Sequence, residues 1–371
     1  MVTSPSAPAL PFDTAYREDR IGHAERARRM ADPGFGRVLT EHMVTIRWSA
    51  GTGWHDGRVE PYRSLTFDPA TIGLHYGQIV FEGLKAYAQA GGGVGIFRPD
   101  AAARRLQESA RRMAMPELPE ALFVQALEEL VRADRDWVPG EVGKSLYLRP
   151  MVLATEADLG LHPAREYLFL LIAFVTDRFF AGPVRPLSVW LCDDYSRAAP
   201  GGTGRAKCPG NYAASLLAQQ QAHERGCDQV IWLDATTRER VEEMGGMNVF
   251  FVLDRPGGPE LVTPGLGDTI LPGITRDSLL VLARDRGLAT TERPFTVAEW
   301  RAACADATMP EAFACGTAAV VTPIGTVRSR AGDWTVGNGE PGPVTLRLRE
   351  ELVEIQHGIV PDAHGWIHSI R

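Results

Sequence analysis

Lysine is nearly missing from this 371-residue chain. Of 39 basic residues only Lys85, Lys144 and Lys207 are lysines, and the others are arginines. Chemistry that requires a primary amine must draw on one of these three. Cysteine is also sparse. The five cysteines, at positions 192, 208, 227, 304 and 315, are odd in number, scattered and without C-x-x-C spacing. They suggest neither a zinc site nor a disulfide framework, and they fit a reducing, cytoplasmic compartment. Basic charge is not in excess. A net charge of −7 leaves no basic stripe for a nucleic acid. Long apolar runs are absent as well. The longest, Tyr167 to Val175, falls short of the roughly 20 residues that span a bilayer and fits a buried strand, so no membrane partner is expected. The N-terminus through Asp19 has no apolar core of a secretory leader, and residues 1–15 read as a loose arm.

The chain does have the means for a large core, with 44% hydrophobic and 23% charged residues. At this length two domains are expected. In the first half, Met43–Trp48, Val94–Phe97, Leu146–Leu153 and Tyr167–Val175 read as strands. Pro99 can open a helix carrying Leu106 and Met113, and Leu118–Ala133 reads as a second helix. Turn residues without a clear period place an interdomain linker at 181–193, between domains at 1–180 and 194–371. In the second half, Asn211 can cap a helix running to about Arg225, with Gly226 ending it. Gln229–Leu233 and Val249–Leu253 read as strands. Thr275–Arg286, Val297–Ala305 and Val344–His357 read as helices. Helices interspersed with short strands in both halves indicate a mixed α/β (α+β) protein.

Lys207 stands apart from the other two lysines. It follows Gly201-Gly202-Thr203-Gly204-Arg205-Ala206 and precedes Cys208-Pro209-Gly210-Asn211-Tyr212. A lysine on a tight loop just before a helix is held, and an amine that can lose its proton suits a Schiff base with a carbonyl compound. The segment is not a nucleotide-binding loop, because no Gly precedes Lys207 and no Ser or Thr follows it. Downstream, Leu271-Pro272-Gly273-Ile274-Thr275 puts backbone N–H groups at a helix start, where a phosphate is stabilised. Gly316-Thr317-Ala318 supplies a second small-residue turn, and Arg98, at a strand end, a charged contact. Alone, each is only a turn or a surface charge. Val241-Glu242-Glu243-Met244 offers a carboxylate that could keep a ring nitrogen protonated, although by itself it reads better as a solvated turn. Phe35, Tyr76, Phe81 and Tyr147 could wall an apolar pocket, or simply pack a core.

Taken together, these stretches resemble the class IV pyridoxal-phosphate aminotransferases, and specifically the branched-chain amino-acid aminotransferases. The resemblance runs from about Phe35 to Trp366. It is carried by seven motifs in family order. These are His75 to Tyr87, Phe97-Arg98-Pro99, Tyr147-Leu148-Arg149-Pro150, Lys207 to Tyr212, Glu242 to Asn248, Leu271 to Arg276 and Gly316 to Ala318. It implies a two-domain fold-type IV architecture, with a small α/β domain and a larger pseudobarrel domain that binds pyridoxal 5'-phosphate. It implies amino transfer from leucine, isoleucine or valine to 2-oxoglutarate. A D-amino-acid aminotransferase or an aminodeoxychorismate lyase on the same fold is the alternative, and a catalytically silent binder of vitamin B6 is a further one.

By the same resemblance, Lys207 carries the cofactor covalently and moves the proton, Tyr212 meets its phenolic oxygen, and Glu243 pairs with its ring nitrogen. Arg98, Ile274, Thr275 and Thr317 hold its phosphate. Thr317 and Ala318 receive the substrate carboxylate. Phe35, Phe81, Tyr147 and the partner subunit's Tyr76 enclose the substrate side chain, and Arg149 engages the distal carboxylate of glutamate. Leu159 and Leu161 lie on a loop that closes over the neighbouring subunit's site, so a homodimer is implied. Two features depart from the animal members. Ala319 and Thr322 stand where those have a C-x-x-C pair, and Gly246 stands where they have Thr.

Overall fold

The computed structural model describes residues 10–177 and 184–370. Most of the expected N-terminal arm and the start of the expected linker, 181–183, lie outside the described residues. The chain divides into two compact units, one of Met1–Phe179 with Ile355–Arg371 and one of Phe180–Glu354. Among the described residues no helix is long and apolar enough to cross a membrane.

The first unit is built on a nine-stranded sheet. Its centre is the antiparallel pair Ser145–Ala154 and Glu166–Thr176, flanked by Val38–Ser49 on one side and Leu84–Ala88 on the other. The central strands bury residues on both faces, which is why they read as near-continuous apolar runs and not as a clean alternation. One face is covered by Glu120–Ala133, whose Phe123, Leu127, Leu130 and Val131 recur at helical spacing and are fully buried. Pro99–Arg112 packs beside it, burying Ala102, Ala103, Leu106 and Ala110.

The second unit contains a closed barrel of six strands. Leu187–Cys192, Gln229–Leu233, Val241–Met244, Met247–Leu253, Glu311–Gly316 and Val320–Arg328 pair in a ring. Closure leaves no free edge among these six, and Ile231, Val249, Phe251, Ala314 and Val327 fill the core with Phe295 and Trp300. The mixed α/β fold with a barrel unit is the class read from the sequence.

Four expectations differ from the structure. Within the expected loose arm, Phe12–Thr14 is a strand paired in parallel with residues 57–59, which ties that part of the arm to the first sheet. Leu187–Cys192, inside the expected linker, is a barrel strand paired in parallel on both sides; the turn residue Pro186 immediately before it obscured its apolar pattern. The C-terminal residues belong to the first unit, because Ile367–Ile370 pairs with Val94–Phe97 and covers that edge. Asn211 is not a helix cap. It lies inside the short helix Pro209–Ala213, and a separate helix, Leu216–Glu224, follows. Its amide is instead engaged by the loop that carries Lys207.

Candidate active site

Lys207 sits between buried Ala206 and Cys208, immediately before that short helix. The loop is fixed from within. The Asn211 amide donates to the carbonyls of Thr203 and Ala206, both at 2.8 Å, and the Thr203 hydroxyl donates to Asn211 Oδ1 at 2.8 Å. Gly204 lies so close to Thr269 that a Cβ there would stand 2.7 Å from the Thr269 backbone. The lysine amine donates to the Tyr212 hydroxyl at 2.9 Å. A rigid loop, an amine and a phenol are therefore assembled locally.

Glu243 supplies the charge. It lies on Val241–Met244, a strand with four buried residues rather than a solvated turn, and is 2% exposed. The Leu271 N–H donates to its Oε1 at 2.9 Å, and the Asn248 amide approaches the same oxygen at 3.4 Å. Arg197 Nε stands 2.7 Å from Oε2, as an ion pair in which that N–H makes no aligned hydrogen bond. Burial pushes the Glu243 carboxyl up to about 7, against the opposing pull of Arg197, the Leu271 N–H and Lys207. Arg197 also donates to the carbonyls of Gly204 and Thr269, joining the lysine loop to the Thr269–Leu271 segment. Arg197 was missed in the sequence. It is one of many arginines, and only the fold brings it to Glu243.

The helix Ile274–Asp285 begins at Gly273 without a side-chain cap, so its first N–H groups have no side-chain acceptor there. A Cβ at Gly273 would meet Asn248 Oδ1 at 1.9 Å. Thr275 is buried in the first turn. Thr317 and Ala318 lie on the three-residue connection between Glu311–Gly316 and Val320–Arg328, where Gly316 faces Val320. Val320 has φ 61, a strained conformation for a β-branched residue and of the kind that concentrates at functional loops.

The other candidates belong to the first unit. Tyr147 stacks on Phe174 at 4.7 Å, and Phe35 meets both rings edge-on. Phe174 was not singled out from the sequence, although it is the direct cross-strand partner of Tyr147. The Arg149 guanidinium lies over Phe81 at 5.1 Å and over Tyr147 at 5.4 Å. Gly83 leaves room for the Tyr147 hydroxyl, which a Cβ would overlap at 1.9 Å. The loop is braced by the buried bidentate pair of Glu82 and Arg105, both contacts at 2.7 Å. Tyr76 is half-exposed, and its hydroxyl donates to the Leu159 carbonyl at 2.6 Å. Leu159 and Leu161 are exposed. Arg98 precedes Pro99–Arg112 at φ 49, with its guanidinium 5.3 Å from the Trp366 ring.

Residues 79–327 match the family model of amino-transferase class IV. The chain is 52% identical to the branched-chain-amino-acid aminotransferase of Mycolicibacterium smegmatis over 98% of its length and 99% of that protein's. The chain belongs to the class IV aminotransferases, in their branched-chain amino-acid group. It is 53% identical to the Mycobacterium tuberculosis branched-chain-amino-acid aminotransferase, covering 97% of this chain and 98% of that one. The crystal structure of the branched-chain amino acid aminotransferase from Thermobaculum terrenum in its PLP form superposes with a TM-score of 0.71 at 27% identity, covering 90% of this chain and 99% of that one. As an aminotransferase, the chain has an amine, a phenol, a buried carboxylate and an uncapped helix start in one unit. This donor set fits pyridoxal 5'-phosphate. The carboxylate is the telling member, because its burial with an elevated proton affinity suits a cationic ring nitrogen.

Proposed function

We propose that this aminotransferase moves the amino group of leucine, isoleucine or valine to 2-oxoglutarate with pyridoxal 5'-phosphate, as a cytoplasmic homodimer. The observation that carries the reading is Lys207, whose amine meets Tyr212 at 2.9 Å in the unit where Glu243 is buried. When bound, the cofactor supplies an electron sink for the carbon that loses its proton. Lys207 provides the amine that holds it and then takes and returns that proton. Tyr212 orients the amine. Glu243 would pair with the ring nitrogen, whose positive charge would add to the pull of Arg197 and the Leu271 N–H against the effect of burial. The first turn of Ile274–Asp285, with Thr275, Thr317 and Arg98, holds the phosphate. Thr317 and Ala318 receive the substrate carboxylate.

Substrate choice lies with the aromatic group of the first unit. Phe35, Phe81 and Tyr147 give an aliphatic side chain an apolar wall, and one methylene of misfit costs only about 1–3 kcal/mol. Leucine, isoleucine and valine are therefore weakly separated. Arg149 lies at that wall and receives the second carboxylate of glutamate. The exposed Tyr76, Leu159 and Leu161 meet the partner subunit, and the partner subunit's Tyr76 completes the wall. The five unpaired cysteines are consistent with a reducing compartment.

Borohydride reduction of the holoenzyme followed by peptide mapping tests this reading. Label on Lys207, with bleaching of the visible band by leucine in the absence of an oxo acid, is the expected result. Label on Lys85 or Lys144 overturns the assignment.

A further inference from the structure

A cavity of about 370 Å³ opens in the second unit, within the roughly 300–1,000 Å³ range of small-molecule sites. Lys207, Tyr212, Glu243, Thr275 and Thr317 do not line it, so it is not the site described above. Its walls include Pro200, Pro264, Pro294 and Ile270, with Arg240, Glu242 and Asp268 among its polar residues.

Glu242 is the unusual member. The strand pairing matches Glu243 to Trp232 and Val241 to Leu233, leaving Glu242 as the extra residue of a bulge. Bulges re-aim a side chain. Glu242 is 7% exposed, its Oε1 accepts from the Thr269 hydroxyl, and its Oε2 is buried without a hydrogen-bond partner. An orphaned buried acceptor is costly, and because Oε2 is closed off from solvent an incoming donor meets it only when the Glu242 side chain turns toward the cavity. Burial pushes this carboxyl above its ordinary range, a shift that a bound ammonium would reverse. Asp234 also lines the cavity, but its carboxylate is already taken. It accepts from the N–H groups of Thr236, Thr237, Glu239 and Arg240 and from the Thr237 hydroxyl. Arg240 and Asp268 are different. Both are exposed, and among the described residues neither side chain makes an ion pair or hydrogen bond. The cavity therefore joins a buried acceptor needing a donor, one unengaged charge of each sign, and an apolar wall rich in proline.

We propose that this cavity binds a free aliphatic α-amino acid as a zwitterion. Its ammonium is held by Glu242 and Asp268, its carboxylate by Arg240, and its side chain lies against the proline-lined wall. A ligand of single sign leaves one of these two charges unsatisfied. The inference stands on these residues and does not depend on the chemistry at Lys207.

The test is titration calorimetry on holoenzyme reduced with borohydride, so that the reactive lysine is blocked. L-leucine and L-proline are compared with 3-methylbutylamine, which lacks the carboxylate, and with 4-methylpentanoate, which lacks the amine. One amino acid binds per chain, and each half-ligand binds roughly tenfold more weakly or worse. Arg240→Met and Asp268→Asn each weaken the amino acid by about tenfold while leaving the visible spectrum of unreduced holoenzyme unchanged. Absence of saturable binding overturns the proposal. Unchanged affinity in both variants overturns it too, since the zwitterion then sits elsewhere. Equal affinity for the amine alone rejects the zwitterion in favour of a simple cation. A holoenzyme that borohydride leaves unlabelled counts against the role of Lys207, and the cavity is then tested on the unreduced protein with L-proline.

Discussion

Arg197 Nε stands 2.7 Å from Glu243 Oε2, with both side chains almost wholly buried. The same guanidinium also grips the carbonyls of Gly204 and Thr269. One arginine thus links the Lys207 loop to the carboxylate that, on the proposed function, would face the cofactor's nitrogen. It acts by position and charge, and it need not touch substrate.

Arg197→Met is expected to lower kcat by roughly tenfold or more, because the carboxylate loses the counter-charge that keeps it ionised. The acidic limb of the kcat profile should move to higher pH, since Glu243 then holds its proton more tightly. A variant with reduced stability but an unshifted profile would make Arg197 purely structural.

Glu243 also makes a prediction for the cofactor-free protein. Burial raises its carboxyl from 4.5 to about 7, so the folded state binds more protons than the unfolded state across that interval. Stability from this group is present below pH 4.5, declines as pH rises, and is lost above 7. The shift corresponds to about 3 kcal/mol at most. The Tm of wild-type apoprotein should therefore fall relative to Glu243→Gln between pH 5 and 8, and cofactor binding should narrow the difference. Parallel Tm curves for the two apoproteins would refute the assignment. In the holoenzyme, Glu243→Gln should slow the proton transfer by several kcal/mol of lost electrostatic stabilisation, whereas Glu242→Gln should not.

Arg149→Met separates two roles. A guanidinium binds a distal carboxylate through two hydrogen bonds and offers an isobutyl group nothing comparable. Half-reactions measured separately should show a loss of about 100-fold or more with glutamate and little change with leucine. Equal losses would mean that Arg149 holds Phe81 and Tyr147 in place and that another residue receives the carboxylate.

Cys315 is 1% exposed, and burial raises its thiol well above the ordinary range. A buried, protonated thiol is inert. Ala319 and Thr322 offer no second sulfur near it. Mild peroxide should leave activity unchanged, and mass mapping should find no disulfide at Cys315. Reversible inactivation with such a disulfide would contradict this.

Gly204→Ala should destabilise the protein by about 1–3 kcal/mol, because the new methyl has no space against Thr269. Gly210→Ala, where nothing lies within 4 Å of the added carbon, is the control for helix-start effects. Similar Tm values for the two would show that the loop gives way.

The sequence by itself determined the chemistry's components and many of the elements. Lysine scarcity left few candidate amines. Local signals located Glu120–Ala133 and Val297–Ala305 to within two residues, and Pro99 marked the start of Pro99–Arg112, because helix periods and first-turn prolines are local in the chain. Apolar runs located the two central strands of the first sheet for the same reason. The tertiary structure decided everything that depends on partners distant in the chain. Val241–Met244 has no strand period of its own and becomes one because neighbours on both sides pair with it. Ile367–Ile370 joins a unit that the chain left more than 170 residues earlier. Phe174 joins Tyr147 through sheet register, and Arg197 reaches Glu243 across 46 positions. Burial acts likewise. Two adjacent glutamates are chemically identical in the sequence, and a bulge with different neighbours sets one against Arg197 and lets the other line a separate cavity.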